Sequence, residues 1–336
     1  MKNQQKNRHD ADFARRFAPL AAYAARMDLI GEASALLRGD ADTEIAGVSE
    51  QRESCGDIVV HTIKVLNDEG ARNIGKSVGS YITIEMPPAE DQHTLANIAA
   101  TTAAQLSRLL PPLNNGTLLV VGLGNRKAVP DALGPAVVEL SYATRQLLRD
   151  DKQAARELAS VCTLAPGVSL DSGIDSAELI RGVAASLKPC ALIVVDSLAA
   201  ASVKRVGTTI QIGDSGITPG SGLGNQAAAL DRATLGIPVI AIGVPTVVDT
   251  TAIIWETLQA LAGYRAKRLP DARLAVDEAA CDYVEQQLLT AFNGRLMVTP
   301  KDIDDLIAAA AEIIAAAIAI AAHPAADAEN YHDYIK

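Results

Sequence analysis

Two aspartates stand where apolar runs end. Leu118-Leu119-Val120-Val121 leads into Gly122-Leu123-Gly124-Asn125 and then Pro130-Asp131-Ala132, and Leu192-Ile193-Val194-Val195 runs directly into Asp196. Short apolar runs of this kind read as buried parallel strands. In open α/β sheets the carboxyl ends of such strands are where ligands bind. Two carboxyl groups held close cannot both ionise, so one pKa rises and the pair holds a proton. Such a pair can activate water against a carbonyl and protonate a leaving amine, which is amide hydrolysis without a metal. A single strand-end acid is more simply a helix cap, and Asp131 fits that role too. A second acid on the same sheet edge moves the reading toward chemistry.

Two glycine-rich stretches accompany the acids. Gly122, Gly124 and Asn125 follow the first strand, and Gly220, Ser221, Gly222, Gly224 and Asn225 precede the run Ile237 to Ile242. They are candidate substrate or oxyanion loops, since backbone N–H groups in such turns can cradle developing negative charge. The alternative is a tight turn where two backbones meet. Nucleotide binding is disfavoured, because the third fingerprint glycine and a Walker Lys-Ser/Thr pair are missing. None of His9, His61, His93, His323 and His332 sits at a strand end of the α/β series; a fold can bring distant residues together, but no metal or cofactor is expected. No G-x-S-x-G elbow occurs. Cys55, Cys162, Cys190 and Cys281 are scattered and read as small core thiols in a reducing compartment. Asp214-Ser215-Gly216 and Asp249 are further wall candidates, better read as turn and cap residues.

The elements that must position these residues follow from periodicity. A helix is expected from Arg26 to about Arg38, strands over 58–66 and 80–86 with a turn at 67–70 between them, and a helix from 89 to 110. Then come strand 117–121, helix 132–149, strand 161–164, helix 176–187, strand 191–195, strand 208–212, strand 237–242 and helix 253–262. Helices over 274–290 and 301–322 close the chain, the last entered by Thr299-Pro300 as cap and first-turn proline. The alternation predicts an α/β three-layer sandwich with a mostly parallel central sheet flanked by helices, plus a small N-terminal β excursion. The net charge of −10 over 336 residues argues against a nucleic-acid binder. The Ala-rich run 306–322 carries Glu312 and reads as a buried helix, not a membrane span. No signal peptide is seen, so a soluble, cytoplasmic protein with no membrane partner is expected.

These motifs resemble the germination proteases of spore-forming bacteria. The resemblance rests on Val120 to Asn125 and Pro130 to Pro135, on Leu164-Ala165-Pro166-Gly167-Val168, on Thr208 to Ile212, on Pro219 to Asn225 and on Gly236 to Asp249. Gly75-Lys76 with Gly79 to Glu85, and Met297 to Asp304, fit as well. It implies an endopeptidase made as a self-processing zymogen, with a pro-segment over residues 1–24 and one catalytic domain over 25–336. It implies a fold similar to the hydrogenase-maturation proteases and a homotetramer in the forespore or spore core. The substrates implied are the small acid-soluble proteins that coat spore DNA. The family's two essential aspartates carry over onto Asp131 and Asp196. A metal-dependent maturation-type peptidase and a catalytically decayed binding protein remain as alternatives. The chain departs from the family pattern at Met27, at Ala128-Val129, at Ser197, at Ala201 where arginine is usual, and at Gln226-Ala227-Ala228. Residues 1–26 carry a net +4, which suits a segment lying over an acidic mouth.

Overall fold

The computed structural model describes residues 27–38, 44–89, 91–113, 116–150, 154–218, 228–268, 283–284, 286–287 and 296–336. The expected pro-segment, the loop 219–225 and most of the expected helix 274–290 lie outside the described residues. In chain order the main elements are α1 (Ile30–Arg38), β1 (Val48–Cys55), β2 (Ile58–Val65), α2 (Asp68–Ile74), β3 (Gly79–Glu85), α3 (Gln92–Leu109), β4 (Thr117–Gly122) and α4 (Leu133–Leu140). They continue with β5 (Ser160–Leu164), α5 (Ser176–Leu187), β6 (Ala191–Ala200), β7 (Thr209–Gly213), β8 (Val239–Asp249), α6 (Thr250–Arg268), β9 (Met297–Val298) and α7 (Ile303–Ala322).

All nine described strands join one sheet in the order β1-β2-β3-β7-β8-β6-β4-β5, with β9 against β8. The half formed by β8, β6, β4 and β5 is parallel. The half formed by β1, β2, β3 and β7 is antiparallel and joins β8 antiparallel. The sheet is therefore mixed rather than mostly parallel, and the N-terminal strands are its continuation rather than an excursion beside it. The cause is local. Cys55 pairs with Ile58 across Gly56-Asp57, with Gly56 at φ +60°, a two-residue hairpin that forces antiparallel pairing. β1 is almost wholly polar and exposed, so it carried no hydrophobic signal as an edge strand.

Helices cover both faces. On one, α3, α4 and α7 bury Ile98, Leu106, Val137 and Ile314 against Val120, Ile193 and Ile242. On the other, α5 buries Ala177 and Ile180 against Leu119, Val121, Leu192 and Val194. The alternate faces of β4 and β6 thus serve two separate apolar layers, as period-2 side-chain direction requires. α1 and α2 pack Ile30 and Ile74 on Ile63 and Val65. By length and composition α7 could cross a membrane, but 61% of its most apolar window is buried in the protein. Its alanines let it pack closely on α3 and α4.

Several expectations need correction. Residues 67–70 start α2 instead of making a turn: Asn67 caps the helix by accepting from Gly70 N–H, and Asp68 and Glu69 occupy the first turn. The helix expected over 132–149 stops at Leu140, where Ser141 turns extended, bonds its hydroxyl back to Val137 O and bridges to Ile335. β6 and β8 run past their apolar cores because they pair with one another as far as Ala200 and Val248, and Asp249 pairs with Met297 of β9. Thr299 does not cap α7. The helix begins at Ile303 without a side-chain cap, and the Thr299 hydroxyl donates to Thr246 O.

Candidate active site

Asp131 is placed by the turn that follows β4. Beyond Gly122, Leu123 N–H donates to Val195 O of β6 at 2.8 Å. Asn125 N–H then donates both to Asp131 O at 3.0 Å and to Asp131 Oδ2 at 2.8 Å. Residues Val129–Asp131 form one 3₁₀ turn, and the Thr246 hydroxyl holds Pro130 O at 2.6 Å. The N-cap of α4 is Ala132, with no side-chain capping bond. The Asp131 carboxyl is therefore not spent as a cap, which corrects the simpler reading of this residue.

The glycines of the β4 turn serve close packing. A Cβ at Gly122 would fall on the Gly134 carbonyl, and Gly124, at φ +112°, lies against the Asp131 backbone. Only glycine meets both demands at position 124. Gly124 and Asn125 line the cleft, and Gly122 packs behind it. Asn125 N–H is committed to Asp131, so its observed work is to hold the acid. Gly220, Ser221, Gly222, Gly224 and Asn225 lie outside the described residues.

Asp196 continues the row of Leu192 and Val194 on β6, opposite Gly243 of β8. Its Oδ1 accepts from Ser197 N–H at 2.9 Å. Asp131 and Asp196 line one cleft of about 820 Å³ at the carboxyl ends of β4 and β6, together with Asp28, Lys76, Gly124 and Asn125. Burial raises the pKa of Asp196 to about 7, reinforced by the charges of Asp131 and Asp28 and opposed by the Ser197 N–H. Burial also raises Asp131, opposed by the Asn125 N–H. A carboxyl group raised to about 7 that shares a cleft with a second, also raised by burial but bonded by an amide N–H, has the makings of an acid–base pair.

Another cavity, of about 880 Å³, opens at the other end of the parallel strands beside Gly116, Thr117 and Ser160. Arg145 is its one charged lining residue among those described, and it lacks an acid. Strand-end chemistry belongs to the cleft with the aspartates. Among the described residues no group of three or more His, Cys, Asp or Glu is placed to hold a metal ion. His61, half-buried on β2, contacts Glu50 of β1 at 3.1 Å, and His323 is buried with its Nδ1 accepting from Ala159 N–H. Asp249 accepts from Thr251 N–H as a cap, and Asp214 accepts from Ser80 N–H while Ser215 and Gly216 reach the cleft wall.

Sequence reasoning did not assign Asp28 and Lys76 to the site. Asp28 reads locally as part of the opening of a helix. Its partner, Ala199 N–H at 2.8 Å, is 171 positions away. No local pattern signals such a contact.

An α/β sheet that brings Asp131 and Asp196 into one cleft at its strand ends has the layout of an enzyme. The family profile described as germination protease matches residues 25–272. The germination protease of Clostridium tetani is 37% identical over 319 residues, covering 92% of this chain and 99% of the relative. That of Caldanaerobacter subterraneus subsp. tengcongensis is 38% identical over 312 residues, covering 89% and 94%. The chain belongs to the germination protease family and is a peptidase, an endopeptidase of spore germination. Among solved structures, the [NiFe] hydrogenase maturation protease HycI from Thermococcus kodakarensis aligns with 42% of this chain and 80% of its own, at 20% identity and a TM-score of 0.29. That likeness is slight.

Proposed function

We propose that this chain is an aspartate-dependent endopeptidase that works through Asp131 and Asp196. The observation that carries the reading is the pairing of charge and burial. Asp196 is a carboxyl group held protonated up to about pH 7, and Asp131, whose charge acts on it, shares its cleft. A water molecule between them attacks the peptide carbonyl carbon while ionised Asp131 takes one of its protons. Asp196 gives its proton to the carbonyl oxygen. As the tetrahedral adduct collapses, the C–N bond breaks, the proton on Asp131 goes to the amine, and Asp196 recovers a proton from the hydroxyl. The pair ends as it began.

Family membership supports the wider proposals: a zymogen with its pro-segment in residues 1–24, small acid-soluble DNA-coating spore proteins as substrates, a homotetramer, and a cytoplasmic location in the forespore or spore core. The test replaces each aspartate by asparagine. Both variants should lose self-processing and peptide hydrolysis, with chelators leaving the parent enzyme unaffected. Activity retained in either variant, or abolished by a chelator, contradicts the reading. A chain beginning at residue 25 should be more active than the full chain; equal activity contradicts the zymogen proposal.

A further inference from the structure

Strand β6 outlasts its neighbour. β4 ends at Gly122, which pairs with Val195, and Leu123 N–H closes the ladder on Val195 O. Backbone direction alternates along a strand, so the N–H groups of Ser197, Ala199 and Ala201 point to the side β4 has vacated. Carboxyl groups fill that side. Ser197 N–H donates to Oδ1 of Asp196 itself at 2.9 Å, Ala199 N–H to Oδ2 of Asp28 at 2.8 Å, and Ala201 N–H to Oε2 of Glu32 at 2.8 Å. Three alternate amides beside the active-site acid are thus satisfied by side chains, two of them from Asp28 just before α1 and Glu32 in its first turn.

That segment is itself fixed. Gln211 of β7 donates to Asp28 O at 3.0 Å and accepts from Ile30 N–H at 2.8 Å. The Lys76 ammonium donates to Met27 O. The Asp28 carboxylate is consequently aimed from a rigid backbone into the cleft that holds Asp131 and Asp196.

We propose that Asp28 is a positioning residue for the catalytic pair: it fixes the free edge of β6 three residues beyond Asp196 and sets a negative charge facing that acid, with Lys76 as counter-ion. This rests on the reading of Asp196 as catalytic. The surrounding charges agree with it. Burial raises the pKa of Asp28, opposed by the Ala199 N–H and by Lys76 from the loop after α2; Asp28 also faces Asp196 on β6 and Glu32 on α1, which burial raises to about 7, and Asp196 faces Asp131 from the turn after β4. Glu32 is faced in turn by Arg205 and by Glu256 of α6. A negative charge beside Asp196 favours its protonated form, the form the hydrolysis needs.

The two halves of the proposal separate experimentally. Asp28→Asn keeps an oxygen that can accept from Ala199 N–H and removes the charge. Asp28→Ala removes both. Asp28→Asn should move the alkaline limb of the kcat profile down by roughly half a pH unit or more, with KM little changed. Asp28→Ala should lower kcat by roughly tenfold or more, with Asp28→Asn retaining more activity than Asp28→Ala at the optimum of each. Circular dichroism confirms that the variants are folded, and the isosteric Asp28→Asn decides the matter if Asp28→Ala does not fold. A profile of Asp28→Asn superimposable on the parent's overturns the proposal. Asp196→Asn is run alongside. If it is inactive and Asp28→Asn is unchanged, only this proposal fails; if Asp196→Asn is active, the catalytic reading fails and this one with it.

Discussion

Asn125 and Asp131 are joined twice, the one amide N–H reaching both the carbonyl oxygen of Asp131 at 3.0 Å and its Oδ2 at 2.8 Å. This shared donor ties the acid's main chain and side chain to the same turn. It leaves the carboxyl group one preferred orientation and opposes the rise in pKa that burial imposes on it. The turn closes only because the preceding residue has no side chain.

Gly124→Ala tests that geometry. An added Cβ would meet the Asp131 carbonyl, and alanine resists φ +112°. The variant should lose about 2 kcal/mol of stability and roughly tenfold or more of kcat, read by urea unfolding and peptide hydrolysis. Parent-like activity would show that the turn does not set the position of Asp131.

The acid that serves chemistry should weaken the fold. Asp196 is raised from 3.8 to about 7 in the folded protein. Its contribution is therefore fully favourable below about pH 4 and is lost as pH rises through 7. Asp196→Asn removes that penalty. At pH 8 the variant should be more stable than the parent by about 4 kcal/mol while inactive. Equal or lower stability at pH 8 would mean that the side chain is not held protonated by its surroundings.

His323 acts at the other end of the pH range and away from the cleft. Burial lowers its pKa from 6.5 to about 4. It stays neutral and accepts from Ala159 N–H at 3.0 Å. A depressed pKa contributes stability that is present above 6.5 and is lost as pH falls to 4. His323→Gln, which keeps an acceptor, should flatten the fall in urea midpoint across that window, a span worth about 3 kcal/mol. An unchanged acid slope would rule out His323 as its source.

The parallel half of the fold was legible because its strands are buried on both faces, so that Leu118 to Val121 and Leu192 to Val195 are unbroken apolar runs. Asp131 and Asp196 were legible for the same reason, standing where those runs stop. β1 was not legible, because an exposed edge strand needs no apolar side chains. Neither was α2, since seven residues beginning Asp68-Glu69-Gly70 look like a turn until the Asn67 cap is seen. Asp28 escaped notice because its role depends on β6 outrunning β4, a fact of register between segments far apart in the chain.

The central claim is that Asp131 and Asp196 share one proton at neutral pH. The most direct measurement is ¹³C NMR of the folded protein labelled at the aspartate carboxyl carbons, titrated from pH 4 to 9. One resonance should titrate near pH 7, vanish in Asp196→Asn and move to lower pH in Asp131→Asn. If every aspartate carboxyl has ionised by about pH 5, the pair does not hold a proton and the proposed hydrolysis has no acid.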